Sequence, residues 1–193
     1  MTLEKIKQKL APIESLAHPD ETDYMRMAID GKMETLYKLS RKVPYGGTIV
    51  EIDSLYGSTA ILMALASKPS VKIYCIELKV LPELTKHIKE YGVSSKITIH
   101  AGKSCDIGRL WEIPIDLLFI DGDHSYNGVI NDNKTWIPYV KKEGIIVWHD
   151  YYNKRPGYEA GQAVDNFLDG SEKEFEIIMP ETVEKIIRVV RKK

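Results

Sequence analysis

The 193-residue sequence predicts an α/β fold: a doubly wound sheet of seven strands, mostly parallel, with helices on both faces and a C-terminal antiparallel hairpin. Three observations carry that prediction. From Gly46 onward, short β-branched runs alternate with helix-length amphipathic segments, the rhythm of strand–helix–strand units with right-handed crossovers. Two runs, I-D-L-L-F-I-D at 115–121 and E-G-I-I-V-W-H-D at 143–150, are apolar almost throughout, as a parallel strand covered on both faces requires. Two last strand-like runs, 174–179 and 185–191, have only Pro180-Glu-Thr-Val between them and no helix, so they should pair antiparallel.

The elements follow in order. Leu3, Ile6, Leu10, Ile13 and Leu16 recur at three- and four-residue spacing, one apolar stripe of a helix, with Pro12 dividing it or marking its weak point. A polar connector at 18–23 leads to a second helical stretch around 31–42. Strands are then expected at 48–53, 71–77, 96–101, 115–121 and 144–149, with helices near 58–66, 81–91, 126–140 and 158–168. At ~150 residues per domain the chain is one unit, 1–193, read as an N-terminal helical cap over 1–30 and a catalytic core over 31–193. The stripe leaves two uses for the cap open: covering a pocket, or pairing with a second subunit as a homodimer through the N-terminal helix.

Composition narrows the function. A net charge of −1 offers no bulk electrostatic attraction for nucleic acid or an acidic membrane. No stretch approaches the ~18 apolar residues of a membrane span, and the opening M-T-L-E-K-I-K-Q-K-L lacks the apolar centre of a secretory signal, so a cytoplasmic location is expected. Cys75 and Cys105 are too few for a disulfide framework and lack ligand-like spacing. Trp111, Trp136 and Trp148 read as packing residues, with Trp148 at the pocket border; His18, His87 and His100 read as solvated or structural. The basic residues Arg188, Arg191, Lys192 and Lys193 read as charges that protect an edge strand from sheet-to-sheet aggregation.

In an open parallel sheet the ligand lies beyond the carboxyl ends of the strands. Those ends carry Glu51 and Asp53, then Glu77, then Gly102, Lys103 and Ser104, then Asp121, Asp123 and His124, then His149 and Asp150. Short polar residues also end strands simply to cap the next helix, and Ser58, Ser104 and Asp106 fit that account equally well. The run 120–126 does not: two carboxylates and an imidazole within four residues, directly after a buried strand, form a grouping with chemistry to perform. In the first turn Gly57 lets backbone approach a ligand, while both the dinucleotide fingerprint G-x-G-x-x-G and the phosphate loop ending G-K-S/T are absent. Glu77 is placed to accept hydrogen bonds from ribose hydroxyls. A ribose without a pyrophosphate suggests S-adenosylmethionine.

Three motifs carry a resemblance: V-E-I-D-S-L-Y-G-S-T at 50–59, I-D-G-D-H-S-Y at 120–126 and H-D-Y at 149–151. From about residue 31 to 168 the chain resembles the class I S-adenosylmethionine-dependent methyltransferases, Rossmann-like proteins. Within them it resembles the small branch related to metal-dependent sugar and antibiotic O-methyltransferases. The resemblance implies a cofactor whose methionine part lies by Glu51, Asp53, Tyr56, Gly57, Ser58 and Thr59, its ribose at Glu77, and its adenine near Gly102, Lys103 and Ser104, with Asp121 bordering it. It implies Mg²⁺ held by Asp121 and Asp150, His124 as the base assisted by Asp121, and a small hydroxylated acceptor, sugar-like as first guess. Asp53 stands where the family motif has a glycine, and two consequences stay open. Either its side chain weakens cofactor binding and leaves a degenerate, non-catalytic module, or it turns aside and contacts the methionine ammonium. Retention of Gly57, Ser58, Thr59 and Glu77 favours the second. Lys103 stands where many relatives carry an acid.

Overall fold

The computed structural model describes residues 1–17, 23–153, 155–179 and 188–193, and the side chains of all of these except 17, 23–30, 179, 188 and 189. The expected connector at 18–22, the hairpin turn at 180–183 and the start of the last strand at 185–187 lie outside the described residues.

Seven strands form one sheet: β1 (Thr48–Ile52), β2 (Lys72–Glu77), β3 (Ile97–Ala101), β4 (Ile115–Ile120), β5 (Val140–Trp148), β6 (Phe175–Met179) and β7 (Arg188–Lys192), in the order β3-β2-β1-β4-β5-β7-β6. The first five are parallel, whereas β7 runs antiparallel between β5 and β6. The chain winds outward from β1 in one direction and from β4 in the other. The crevice between β1 and β4 is therefore the switch point at which such sheets bind ligands.

Among the described residues, seven helices cover the sheet: α1 (Leu3–Ala17), α2 (Asp23–Lys42), α3 (Ser58–Ala66), α4 (Pro82–Glu90), α5 (Ser104–Gly108), α6 (Tyr126–Trp136) and α7 (Ala160–Leu168). Two apolar clusters separate by the period-2 alternation of the strands. Ile49, Ile73, Cys75, Leu117, Phe119 and Val147 face the α1–α4 layer. Val50, Ile52, Leu118, Ile120, Ile146 and Trp148 face α6 and α7. α3 is apolar around most of its circumference because it is covered by the sheet, α1 and α2; Thr59 through Ala64 are all buried. Ile6, Leu10 and Ile13 of the N-terminal stripe join this core, while Leu16 is exposed.

Several local expectations need correction. α1 continues through Pro12 without division. α2 starts eight residues before residue 31 and crosses residue 30 unbroken, so cap and core share a helix. α6 ends at Trp136 in a 3-10 turn, and β5 begins at Val140 because its first residue pairs with Ile115 across a bulge. The five-residue α5 was not expected at all. β7 is an inner strand, so its basic residues do not guard an edge: Arg191 meets Glu143 and Glu176, and Lys192 Nζ donates to the carbonyls of Ile137 and Val140. Trp148 is buried in the core and donates its indole N–H to Asn133. His87 is buried and bonds the Tyr56 carbonyl at 2.9 Å, fastening α4 to the first strand-end turn. Among the described residues, no helix is long and apolar enough to cross a membrane.

Candidate functional site

The strand registers assemble the site. Ile52 pairs with both Ile76 and Ile120, and Ile120 pairs with Trp148. One residue further along each strand, Glu77, Asp53, Asp121 and His149 form a single row across β2, β1, β4 and β5. Backbone bonds continue the ladder into that row, from Asp53 N to the Ile76 carbonyl, Asp121 N to Ile52 and His149 N to Ile120. Alternation turns the row toward the face carrying α1–α4.

On the β1–β2 side the acids are deeply placed. Glu51 is wholly buried on β1 and accepts hydrogen bonds from Thr59 Oγ1 and, at 2.7 Å, Ser54 Oγ. Burial pushes its carboxyl up to about 8, against the two hydroxyl bonds and helped by the charges of Glu77 and Asp121. Glu77, only 2% exposed, accepts from the Ser54 amide at 2.5 Å, and burial raises it to about 7. The turn between them is conformationally demanding: Asp53, Leu55 and Gly57 all have positive φ, at 66°, 50° and 91°. This explains why a glycine suits position 53, and why Asp, which tolerates the left-handed region better than most residues, can replace it. Burial and the charge of Asp121 raise the pKa of Asp53, against the Leu55 backbone and His124, which lower it. At Gly57 a Cβ would come 2.7 Å from Leu84 Cδ1, so the start of α3 closes tightly on α4.

The β3 end departs from expectation in one respect. Gly102 and the exposed Lys103 follow β3 at the same edge of the sheet, but the Ser104 side chain points to α6, donating to Asp132 Oδ1 at 2.6 Å and accepting from Trp136 Nε1 at 2.7 Å. Ser104 thus ties α5 to α6. Sequence reasoning missed Leu78, whose side chain stands 75% exposed directly after Glu77. An apolar residue following a strand-end acid is the signal that could have found it.

The β4–β5 side is a cluster of charges. His149 Nδ1 lies 2.7 Å from Asp121 Oδ1 and 3.1 Å from Asp150 Oδ2, and His124 Nε2 lies 3.3 Å from the same Asp150 oxygen. Asn153 donates to the other Asp150 oxygen at 3.0 Å. Burial disfavours a charged His149, but Asp121 and Asp150 outweigh it and carry the imidazole up to about 9. Burial likewise disfavours ionised Asp150, yet the bond and charge of His149, with Asn153 and His124, hold it well below the usual carboxylate range. Asp121, His124 and Asp150 offer ligand atoms within 4.8 Å of one another, a donor set that fits a divalent cation. Asp123 stays out of the cluster and receives the Ser125 amide in the turn leading to α6.

Tyr158 stacks on His124 with centroids 4.7 Å apart and planes at 19°, while the His124 carbonyl accepts from Glu159 N. Beside them opens a cavity of about 510 Å³, lined by Tyr151, Tyr152, Tyr158, Glu159, Gln162 and Asn166 among others. Its floor is tight: a Cβ on Gly161 would fall 2.1 Å from the Tyr151 carbonyl oxygen, so only glycine lets α7 approach this loop. Neither Tyr158 nor Asn153 carries a motif, and both enter the site through folding of the loop after β5.

This crevice and sheet order define the class: a methyltransferase-type α/β domain. The model of a methyltransferase-domain family matches residues 50–151, and the chain belongs to that family. It is 32% identical over 133 residues to the uncharacterized protein R132 of Acanthamoeba polyphaga mimivirus, covering 63% of this chain and 59% of that protein. The chain thus spans well under two thirds of that relative's length. Among solved structures it resembles the O-methyltransferase TomG of Streptomyces achromogenes, involved in tomaymycin synthesis and bound to S-adenosylmethionine. That TM-score is 0.70 at 17% identity, covering 100% of this chain and 99% of TomG. It also resembles an O-methyltransferase of Bacillus cereus in complex with S-adenosylhomocysteine, with TM-score 0.65 at 18% identity over 98% and 90% of the two chains. At these identities the likeness is one of fold.

Proposed function

We propose that this chain transfers the methyl group of S-adenosylmethionine to a hydroxyl of a small hydroxylated acceptor. The observation that supports this most is the register row, which puts an acid for the ribose and an acid–imidazole cluster on opposite sides of the β1–β4 crevice. When bound, the cofactor supplies an electrophilic methyl on its sulfonium, and a divalent cation such as Mg²⁺ supplies positive charge that lowers the pKa of an acceptor hydroxyl.

The residues divide that work. Glu77 receives the ribose hydroxyls, the turn 53–59 receives the methionine part, and Gly102, Lys103 and the Ser104 backbone border the adenine, with Leu78 presenting an apolar surface. Asp121 and Asp150 hold the cation. His124 accepts the acceptor's proton at the ring nitrogen not turned to Asp150, and the ring is oriented by Asp150 at Nε2 and by stacking on Tyr158. The tyrosine- and amide-lined cavity beside His124 holds the acceptor; its mixed aromatic and hydrogen-bonding wall suits a sugar-like molecule.

The degenerate reading rests on Asp53, and the pull of the Leu55 backbone on its carboxylate speaks against it by favouring a place on its own loop. Calorimetric titration with S-adenosylhomocysteine separates the two. Binding to wild type is expected; no heat with wild type and clear binding to Asp53→Gly would show that the aspartate disables the site. For the base, His124→Ala is expected to lower transfer at least ~100-fold, read as S-adenosylhomocysteine release over a panel of sugars and phenols, with cofactor affinity nearly unchanged. Undiminished turnover would remove His124 from that role.

A further inference from the structure

Tyr158 and Glu159, consecutive residues at the entry to α7, grip the run that carries the proposed base at three points. The Tyr158 ring lies on the His124 imidazole, centroids 4.7 Å apart. The Glu159 amide donates to the His124 carbonyl at 2.8 Å. The Glu159 side chain then reaches one peptide further and accepts from the Tyr126 amide at Oε2, at 3.0 Å.

That last bond runs to a neighbouring helix. Glu159 is the N-cap residue of α7, yet its side chain makes no cap bond to its own helix. It serves α6 instead, whose first residue is Tyr126 and whose own cap, Ser125, accepts from the Gly128 amide at 3.1 Å. The first amides of a helix have no partner within it and carry the positive end of its dipole, so an anionic oxygen is favourable there. Tyr126 is held at its other end as well, where its phenol oxygen accepts from Asn166 Nδ2 of α7 at 3.1 Å. Both peptide planes that follow His124 are thus tied to one residue.

Tyr158 and Glu159 also line the cavity beside His124. The wall on which an acceptor would rest and the mount of the base are therefore one piece of chain. A base must come within ~2.6–3.2 Å of the proton it takes, and a misplacement of about 1 Å can cost roughly a hundredfold in rate.

We infer that Glu159 is a positioning residue: its carboxylate fixes His124 relative to the acceptor wall without touching the reacting atoms. The inference rests on the methyltransferase reading for what His124 does. It gives the loop after β5 a part in catalysis that no motif announces.

The test uses the full chain and three variants. Glu159→Gln keeps an acceptor oxygen; Glu159→Ala and Glu159→Met remove it, the second with little change in bulk. Glu159 is exposed, so all are expected to fold, as unfolding curves will show, and either truncation suffices if the other does not. The first readout is the imidazole signal of His124 in proton–carbon NMR spectra, identified by its loss in His124→Ala. The Tyr158 ring displaces that signal, by an amount that Tyr158→Leu reveals. Glu159→Ala and Glu159→Met are expected to lose most of the displacement, and Glu159→Gln to keep it. The second readout is S-adenosylhomocysteine release over the panel of sugars and phenols. In the two truncations kcat is expected to fall roughly tenfold or more while the acceptor's KM stays within about twofold, and Glu159→Gln recovers most of the loss. A His124 signal that does not move in either truncation overturns the inference. So does a KM that rises at constant kcat, which would make Glu159 a contact of the acceptor. If wild type methylates nothing in the panel, it is the transferase reading that fails, and the NMR signal still decides whether Glu159 holds His124.

Discussion

The two sides of the crevice use the same residue type in opposite states. On the β1–β2 side Glu51 and Glu77 are buried against hydroxyls and amides, and their carboxyls rise to about 8 and about 7. On the β4–β5 side Asp150 is largely buried too, but its main partners are imidazoles, and it stays ionised far below the usual range. Burial is common to both, so the partner decides. Neutral donors compensate a carboxylate's lost hydration only in part, whereas a cation in contact more than restores it. The first side is therefore a hydrogen-bonding lattice that shapes a turn, and the second is a charge cluster suited to an ion and a proton.

The largest expected effect breaks the charged side. Asp150→Asn removes an anionic ligand and should weaken Mn²⁺ binding by roughly a hundredfold or more, followed by calorimetry or by the spectrum of the free ion. Unchanged affinity would mean that the cluster is not an ion site, and the contrast would lose its functional half. Next, Glu77→Ala should cost ~10- to 100-fold in affinity for S-adenosylhomocysteine, the worth of a hydrogen-bonded charged group. A loss below twofold would make Glu77 a residue of the turn alone, held by Ser54.

Glu51→Gln sharpens the comparison through pH. The folded carboxyl titrates near 8, above its ordinary 4.5, so folding favours the protonated form. The sign follows: this stabilisation is complete below about pH 4.5 and is lost as pH rises toward 8. Wild type should then be less stable at pH 8 than at pH 5, and Glu51→Gln should reduce that difference by on the order of a few kcal/mol in urea unfolding. Glu77 and Asp132, raised to about 7 and about 6, retain a remaining slope in the variant. An identical slope in wild type and variant would place the Glu51 proton elsewhere. The smallest effect is at Asp53→Gly. Relief of a left-handed aspartate and the added freedom of the unfolded chain nearly cancel, so stability should move by less than ~1 kcal/mol. Cofactor affinity should rise less than threefold if the carboxylate stays on Leu55, and more than ~tenfold if it obstructs.

Much of the architecture was legible because its signals are local. The apolar run 115–121 and the helix after Gly57 fall where the pattern puts them, and α3 occupies 58–66 as expected. α5 escaped because five residues make barely one turn, too short to show a period. The first residues of β5 escaped because Lys141, Lys142 and Glu143 are exposed and polar, and only pairing with β4 makes that segment a strand. The basic tail suggested an edge because charge pattern reports solvent contact, whereas strand order is set by long-range pairing.

At the site the division is the same. Sequence by itself determined which strands end in acids and histidines, and so that one edge of the sheet would hold Glu51, Asp53, Glu77, Asp121, His124 and Asp150. All but Glu77 belong to short motifs at the ends of buried strands, and Glu77 is itself the last residue of β2. Tertiary structure decided which of those groups touch and in what state: that Ser104 turns inward to Asp132, and that His149 lies between Asp121 and Asp150. Strand register and helix placement bring together residues tens of positions apart, and a carboxylate's charge depends on those neighbours, so no local pattern could carry that information.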